Sequence, residues 1–315
     1  MARAELPPAR SVWTATPAGQ PQARVRLLGD AIVFACPGMR NTTQRHAATL
    51  LCSTDGQALQ ARCQGHTVQA PALLIAPMAC KTVDALDRPL LLIDLEPGHP
   101  HYRHFQALAA PGVQALHGTP LAALQALGRA FAAGRLQGQA VDAQVREAVA
   151  AVAHQLPQPK PLDPRVRKLM CLLDEDPGAE LERLAPLLGL SAHHASRLFH
   201  QGLGLPLRRY ALSIKIRAAA SFMGSGLALT QIAQAAGFVD SAHFAKVWAQ
   251  NYGAAPSRFF DTANTHIDQT DQPDWLLWYL AQRDRDLPPP APGAQTPWVH
   301  RRRTPRTPRL RTAAP

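Results

Sequence analysis

The sequence of 315 residues has little of what a secreted or membrane-spanning protein needs. Its five cysteines are odd in number and show no CxxC spacing, which argues against a disulfide framework. No stretch approaches the roughly 18 apolar residues of a membrane span, and no apolar leader follows a basic start. We therefore expect a cytoplasmic protein with reduced thiols and no membrane partner. A redox sensor built on two of the cysteines at 36, 52, 63 and 80 is the less favoured alternative, because unpaired cysteines usually serve as small buried hydrophobes.

Motifs for catalysis are also scarce. The sequence has no phosphate-binding loop and no nucleophile motif, and residues 24–95 lack a close HxH pair with a carboxylate downstream. The later cluster of His99, His101 and His104 has no neighbouring cysteine or carboxylate, whereas a zinc site needs three or four converging ligands. We expect no metal, no cofactor and no enzymatic activity. A catalytic N-terminal domain is kept as an alternative.

What the sequence does contain is one pattern written twice between residues 180 and 260. The offset between the copies is 48 residues at Gly189 and 49 residues from Arg197 onward, so the second copy has one extra residue in its turn. The paired positions are Leu184 with Ile232, Ala185 with Ala233, Gly189 with Gly237, Leu190 with Phe238, Ser191 with Asp240, Arg197 with Lys246, Leu198 with Val247, Phe199 with Trp248, Gly204 with Gly253 and Tyr210 with Phe259. Apolar, glycine and basic positions that stay in register indicate an internal repeat.

Each copy predicts a helix-turn-helix. A short amphipathic helix ends at a glycine that can adopt positive φ, and Ser191 or Asp240 then caps the next helix. In the DNA-binding form of this motif, the second helix enters the major groove. We call these second helices the reading helices. Their outward faces carry the predicted base contacts, which are His193, Ser196, Arg197 and His200 in the first and Ala242, His243, Ala245 and Lys246 in the second.

The segment between the copies fits the geometry of duplex DNA. Residues 205–223 predict a helix about 28 Å long, close to the roughly 34 Å between successive turns of one major groove. One chain can therefore place both reading helices on one duplex, and the net charge of +11 favours such a polyanion partner. Predicted phosphate contacts, together with helix N-termini, are Arg208, Arg209, Lys215 and Arg258.

These residues resemble the AraC/XylS family of transcription regulators over residues 163–260. The resemblance rests on Gly189-Leu190-Ser191, Arg197-Leu198-Phe199, Gly204, Tyr210, Arg217, Ile232-Ala233, Gly237-Phe238, Phe244, Gly253 and Pro256-Ser257. Trp248 stands where the family usually has Phe, and Phe260 where it usually has Arg. The resemblance implies sequence-specific binding of double-stranded DNA, activation more often than repression, RNA polymerase as a partner, and an N-terminal domain that senses a small-molecule effector.

The predicted fold class is α+β with two domains. Residues 1–22 are rich in Pro and Ala and predict a flexible arm. Short β runs over residues 23–98 predict a small barrel or sandwich, which the resemblance makes cupin-like. Residues 99–156 predict helices with apolar stripes; in the resembling family such helices often carry dimerisation, and packing on the barrel is the alternative.

The remaining boundaries follow from composition. Residues 157–162 are a proline linker, and residues 163–261 form the all-α domain with both helix-turn-helix motifs. Residues 262–315 turn polar and then Pro- and Arg-rich, which predicts a disordered tail. That tail supports a competing function, a nonspecific nucleic-acid-binding or scaffold protein.

Three charged residues of the N-terminal domain have two interpretations. Arg40, Arg45 and His46 fall near the predicted mouth of the barrel, where they could meet an anionic effector. The favoured interpretation is that they are solvated loop charges.

Overall fold

The computed structural model describes residues 11–14, 16 and 23–268, and the N-terminal domain within them contains two sheets. The five-stranded sheet has the order β1 (Val12–Trp13), β4 (Met39–Gln44), β9 (Cys80–Ala85), β6 (Leu59–Cys63) and β7 (His66–Ala70). The seven-stranded sheet has the order β11 (Val113–Ala115), β8 (Ala72–Ile75), β5 (Ala48–Ser53), β10 (Leu90–Leu95), β3 (Ala31–Cys36), β2 (Ala23–Leu27) and β12 (Thr265–Ile267). Neighbouring strands are antiparallel, except for β12, which pairs parallel with β2. The sheets face each other as a sandwich, since their inner side chains share one apolar core.

The two sheets differ in how their strands are buried. Every residue of β3, β5 and β10 is buried, because the seven-stranded sheet is covered on both faces. By contrast β9 alternates between buried and half-buried positions, as expected for a sheet with one face toward solvent. Within the β region predicted over residues 23–98, the apolar runs at residues 25–28, 31–34, 49–52, 73–75 and 90–93 fall on strands of the seven-stranded sheet, with Leu28 just beyond the end of β2. Its continuous apolar strands were therefore the easier ones to find.

Helices cover the outer face of the seven-stranded sheet. After the short helix α1 (Tyr102–Gln106), α2 (Pro120–Ala132) and α3 (Gln139–Ala153) bury their apolar stripes in a core shared with that sheet. Leu127 and Phe131 of α2 belong to the same apolar cluster as Leu91 and Ile93 of β10. The apolar stripes of α2 and α3 are thus buried against the seven-stranded sheet of the same chain. Dimerisation through these helices stays a prediction.

The C-terminal half is helical, as predicted. Its elements are α4 (Pro164–Glu175), α5 (Leu181–Leu184) with a 3-10 turn at Ala185–Leu188, α6 (Ala192–Leu203), α7 (Leu207–Ala220), α8 (Leu229–Ala235), α9 (Ser241–Tyr252) and α10 (Pro256–Phe260). Asp163 caps α4, its side chain accepting from the Arg165 N–H at 2.8 Å, and Pro164 takes the first helical position. The linking helix α7 has 14 residues and so spans about 21 Å, shorter than the predicted 28 Å.

Two apolar cores run across the predicted domain boundary. One joins the sandwich interior to α7–α10, and the other joins the outer face of the seven-stranded sheet to α2–α6 and the start of α7. Trp13, Phe34 and Phe259 meet in the first core with ring centroids 5.7–6.0 Å apart. The helix-turn-helix half therefore packs directly against the N-terminal domain.

Both predicted terminal segments contribute a strand. In the arm predicted over residues 1–22, Val12 and Trp13 pair with Arg40 and Met39. In the tail predicted from residue 262, residues 265–267 pair with residues 23–25 of β2. Residues 1–10, 15 and 17–22 of the arm and residues 269–315, including the Arg-rich stretch, lie outside the described residues. No helix in the described part of the chain is long and apolar enough to cross a membrane.

We expect the segment around β12 to stabilise the whole structure, because it makes three hydrogen bonds to two parts of the N-terminal domain, β2 and the residue before α3. The Asp268 N–H donates to the Val25 carbonyl at 2.7 Å, its carbonyl accepts from Arg26 at 3.0 Å, and its carboxylate accepts from the Gly138 N–H at 3.1 Å. A chain ending at residue 261 should be less stable by about 2–5 kcal/mol than a chain ending at 268, at roughly 1 kcal/mol for each lost bond plus lost burial. Urea unfolding of the two chains measures the difference, and equal midpoints would contradict the expectation.

Candidate nucleic-acid interface

The first helix-turn-helix is built as its sequence predicts. Gly189 has φ 65° and ends the 3-10 turn, and the Ser191 side chain caps α6 by accepting from the His194 N–H at 3.3 Å. Behind α6, Phe199 is buried with its ring edge-on to Tyr210 at 5.4 Å. The side chains predicted to contact bases, His193, Ser196, Arg197 and His200, are all exposed on the opposite face.

The second helix-turn-helix repeats this construction. Gly237 has φ 76°, and Asp240 caps α9 by accepting from the His243 N–H at 2.6 Å. Phe244 and Trp248 are buried on the inner side, whereas the outer side exposes Ala242, His243 and Lys246 and leaves Ala245 half-buried. The His243 ring packs edge-on against Phe238 at 5.6 Å, which restrains it beside the turn.

The four predicted phosphate contacts lie in different surroundings. Arg208 is exposed at the start of α7, and Arg209 and Lys215 are half-buried along the same helix, where burial lowers the pKa of Lys215. Arg258 instead points toward the N-terminal domain, with its guanidinium 4.6 Å from the centre of the Trp13 ring. Burial there also lowers the pKa of Arg258. The structure brings Arg258 to the domain contact, and its role at phosphate stays a prediction.

The structure shows a buried polar group at that contact which sequence reasoning missed. Arg45, predicted to be a solvated loop charge, is buried and forms an ion pair with Asp94, which also accepts from the Thr49 hydroxyl at 2.6 Å. Close by, burial lowers the pKa of Lys81 to about 7 and raises the pKa of Glu96 to about 7. The sequence signal for this group was Asp94, a carboxylate inside the otherwise apolar strand β10.

Arg40 and His46, the other two residues predicted with Arg45 to be solvated loop charges, lie in different surroundings. His46 is buried between the domains, and burial, with a smaller effect of Arg209, lowers the pKa of its ring to about 4. Arg40 is the one of the three that remains exposed, and it pairs with Asp84 at 2.8 Å. The favoured interpretation as solvated charges is therefore wrong for Arg45 and His46, because the C-terminal helices cover them.

A small cavity adjoins the buried ion pair, between the sandwich and the second helix-turn-helix. Its lining includes Trp13, Phe34 and Arg45 from the N-terminal domain and Met223, Tyr252 and Phe259 from the helices. Among the described residues, Trp13 Nε1 and Arg45 Nε are buried donors of this lining without a hydrogen-bond partner. The cavity has a volume of about 20 Å³, room for about one water molecule, so a ligand with an apolar body and an acceptor group fits these walls only if the sandwich and the helices move apart.

The buried cysteines and the histidine cluster, as the structure describes them, are not arranged as a reactive or metal-binding site. Cys36, Cys52 and Cys63 are buried, and burial raises the pKa of the first two thiols to about 12, which suppresses the reactive thiolate. The rings of His99, His101 and His104 follow one another at 5.7 and 5.4 Å. Within the described residues, no three His, Cys, Asp or Glu side chains are placed to hold a metal ion.

Comparison with known proteins assigns the C-terminal half. Residues 184–262 match the family model of a helix-turn-helix domain. The chain carries an AraC-type helix-turn-helix domain, as the resemblance predicted, and this domain makes it a DNA-binding transcription regulator. A comparison with curated proteins gives no match.

The fold of the chain is similar to that of ToxT from Vibrio cholerae. A ligand-free ToxT variant from strain SCE256 aligns with a TM-score of 0.53 and 14% identity over 74% of this chain and 97% of that one. ToxT from strain O395, bound to (E)-4-(8-methylnaphthalen-1-yl)but-3-enoic acid, aligns with a TM-score of 0.50 and 14% identity over 77% and 99%. At this identity the likeness shows the two-domain fold alone.

We expect the two reading helices to contribute unequally to base discrimination. The first carries Arg197, which can form a bidentate contact with guanine worth roughly 1–3 kcal/mol, whereas the second offers Lys246 beside two alanines. Arg197→Ala should therefore relax the preference at one or two base positions. Lys246→Ala should weaken binding evenly across sequences and lower the salt slope by about one.

Selection of binding sequences from a random DNA pool, followed by salt titration, measures both effects. Arg146→Ala on the exposed side of α3 is the control and should match the parent protein. The asymmetry is refuted if Lys246→Ala erases a specific base preference and Arg197→Ala does not.

Proposed function

We propose that this regulator binds a specific DNA sequence by placing α6 and α9 in adjacent turns of the major groove of one duplex. The observation that supports the proposal is the repeat. Two helix-turn-helix motifs in one chain leave both reading faces exposed and joined by a helix of about 21 Å. In this arrangement a single chain contacts two segments of one site, with centres about 10 base pairs apart.

Each reading helix supplies a different kind of contact. At the first, Arg197 reads guanine, while His193, Ser196 and His200 donate to bases or phosphates. At the second, Ala242 contacts a thymine methyl group, and His243 and Lys246 provide the polar contacts. Arg208, Arg209 and Lys215, with the helix N-termini, bind the phosphates that fix the register.

We also propose that a small molecule with an apolar body and a carboxylate binds at the cavity between the domains and widens it from its present volume of about 20 Å³. The support is chemical: Trp13 and Arg45 offer unpaired donors, and Phe34, Met223 and Phe259 offer apolar surface. ToxT, whose fold is similar, binds a butenoic acid that carries an aromatic group.

Through such an effector the protein acts in the cytoplasm as an activator that engages RNA polymerase, alone or as a homodimer. The roles in activation, polymerase contact and dimerisation follow the family resemblance.

Selection of fragments from genomic DNA by the full-length protein tests the DNA-binding proposal. The enriched fragments should share one motif in two halves, separated by about one helical turn. The double variant Arg197→Ala with Lys246→Ala should lose the motif, and Arg146→Ala should keep it. Uniform recovery of all fragments by the parent protein would instead support nonspecific binding, the competing function suggested by the net charge of +11.

Thermal unfolding tests the effector proposal. We expect the naphthyl butenoic acid that ToxT binds to raise the unfolding midpoint of this protein by several degrees, because a ligand that binds the folded state alone stabilises it. The corresponding alcohol, which lacks the carboxylate, is the matched probe and should have little effect. In Trp13→Phe the ring is kept and the Nε1 donor is lost, so the shift should shrink. Equal shifts from acid and alcohol would contradict a carboxylate site.

A further inference from the structure

The N-terminal domain contacts both reading helices at positions related by the repeat. α6 ends at Gly204 and α9 ends at Gly253, which are equivalent positions with φ 71° and 78°. Each of these helix ends lies against a different element of the N-terminal domain. The residues predicted to read DNA remain exposed or half-buried beside these contacts, so the contacts leave the reading faces open.

At the end of α6, the contact comes from α1. The Arg103 Nε donates to the carbonyl of Gly202 at 3.0 Å, and its Nη1 donates to the carbonyl of Lys160 in the linker at 2.6 Å. Gln106 packs so closely on the helix end that a Cβ placed on Gly204 would lie 2.9 Å from its Cγ. No side chain fits at Gly204 unless Gln106 moves.

At the end of α9, the contact comes from β4 and the residues after it. Asn41 Nδ2 lies 3.5 Å from the carbonyl of Tyr252, and a Cβ placed on Gly253 would lie 2.8 Å from the same nitrogen. The backbone N–H of His46 donates to Asn251 Oδ1 at 3.2 Å. Asn41 is almost fully buried, at 1% exposure, so this contact is part of the packed interface.

The length of each reading helix makes the contacts at its end important for DNA recognition, because a small tilt at one end displaces the other end. Each reading helix has 12 residues and is therefore about 18 Å long. A tilt of about 10° at the held end moves the reading end by about 3 Å, close to the roughly 3.4 Å rise of one base-pair step. Within the helical half, α7 is the helix that connects the first helix-turn-helix motif to the second along the chain.

We propose that Arg103 and Asn41 are positioning residues for DNA recognition: by holding the ends of α6 and α9, they set the separation between the two DNA segments that the protein accepts. This inference rests on the proposed function, in which both helices read one duplex. It assigns to the N-terminal domain control over which spacing is bound. It also gives that domain a direct route to the reading helices, since Tyr252 both lines the cavity and belongs to the held end of α9.

The test measures how binding depends on spacing. The probe is the strongest fragment from the genomic selection, with one or two base pairs inserted or deleted between its halves. The full-length parent protein should lose about tenfold in affinity for each altered spacing, similar to the cost of a mismatched base pair. Arg103→Met and Asn41→Ala should bind the original and altered fragments within about threefold of each other, whereas Arg103→Lys, which keeps a donor, should stay near the parent.

A second measurement separates positioning from folding. A duplex with only one half of the motif needs no correct separation, so both variants should bind it as the parent does. Loss of binding to this half-motif would show that a substitution damaged the reading helix itself and would count against a positioning role. An unchanged tenfold dependence on spacing in both variants overturns the proposal, because α7 alone would then set the separation. If the parent protein selects no motif at all, the proposed function fails instead.

Discussion

The structure depends on the packing of the second helix-turn-helix into the open side of the sandwich. Trp248 and Tyr252 of α9 and Phe259 of α10 share one core with Phe34, and the ring pairs within it lie about 4.5–6 Å apart. Aromatic pairs at such distances contribute roughly 0.5–1.5 kcal/mol each beyond their burial. This core makes the two regions one packed structure, and it places the buried charge of Arg45 beneath the end of α9.

The same packing explains why charged residues are buried near the domain contact. Arg45 loses its water when the helices cover it, and its ion pair with Asp94 compensates for that loss. The cavity beside the pair lies where the sandwich and the helices meet around this polar group. Any molecule in that space touches residues of both regions, so its binding energy depends on how they are arranged.

The polar contacts at the helix ends extend this coupling to the DNA-binding surface. The first motif is held through α1 and the linker, and the second through β4, so the N-terminal domain touches each motif separately. The linker at residues 157–162, which composition predicts as a domain boundary, is held by Arg103 at Lys160 and by His104, whose Nε2 lies 3.3 Å from Gln158 Oε1. Proline content indicates where the linker lies in the sequence, but side-chain contacts decide whether the two regions can move relative to each other.

The sequence by itself determined the local structure of the DNA-binding half. Caps at Asp163, Ser191 and Asp240, positive φ at the repeat glycines and exposure of Arg197 all follow from interactions within a few residues or along one helix. Only the tertiary structure decided that the polar five-stranded sheet forms, that β12 joins β2, that Arg45 is buried, and that the N-terminal domain contacts both reading helices. Those features bring together residues far apart in sequence, so no local pattern encodes them; each depends on which surfaces meet when the whole chain packs.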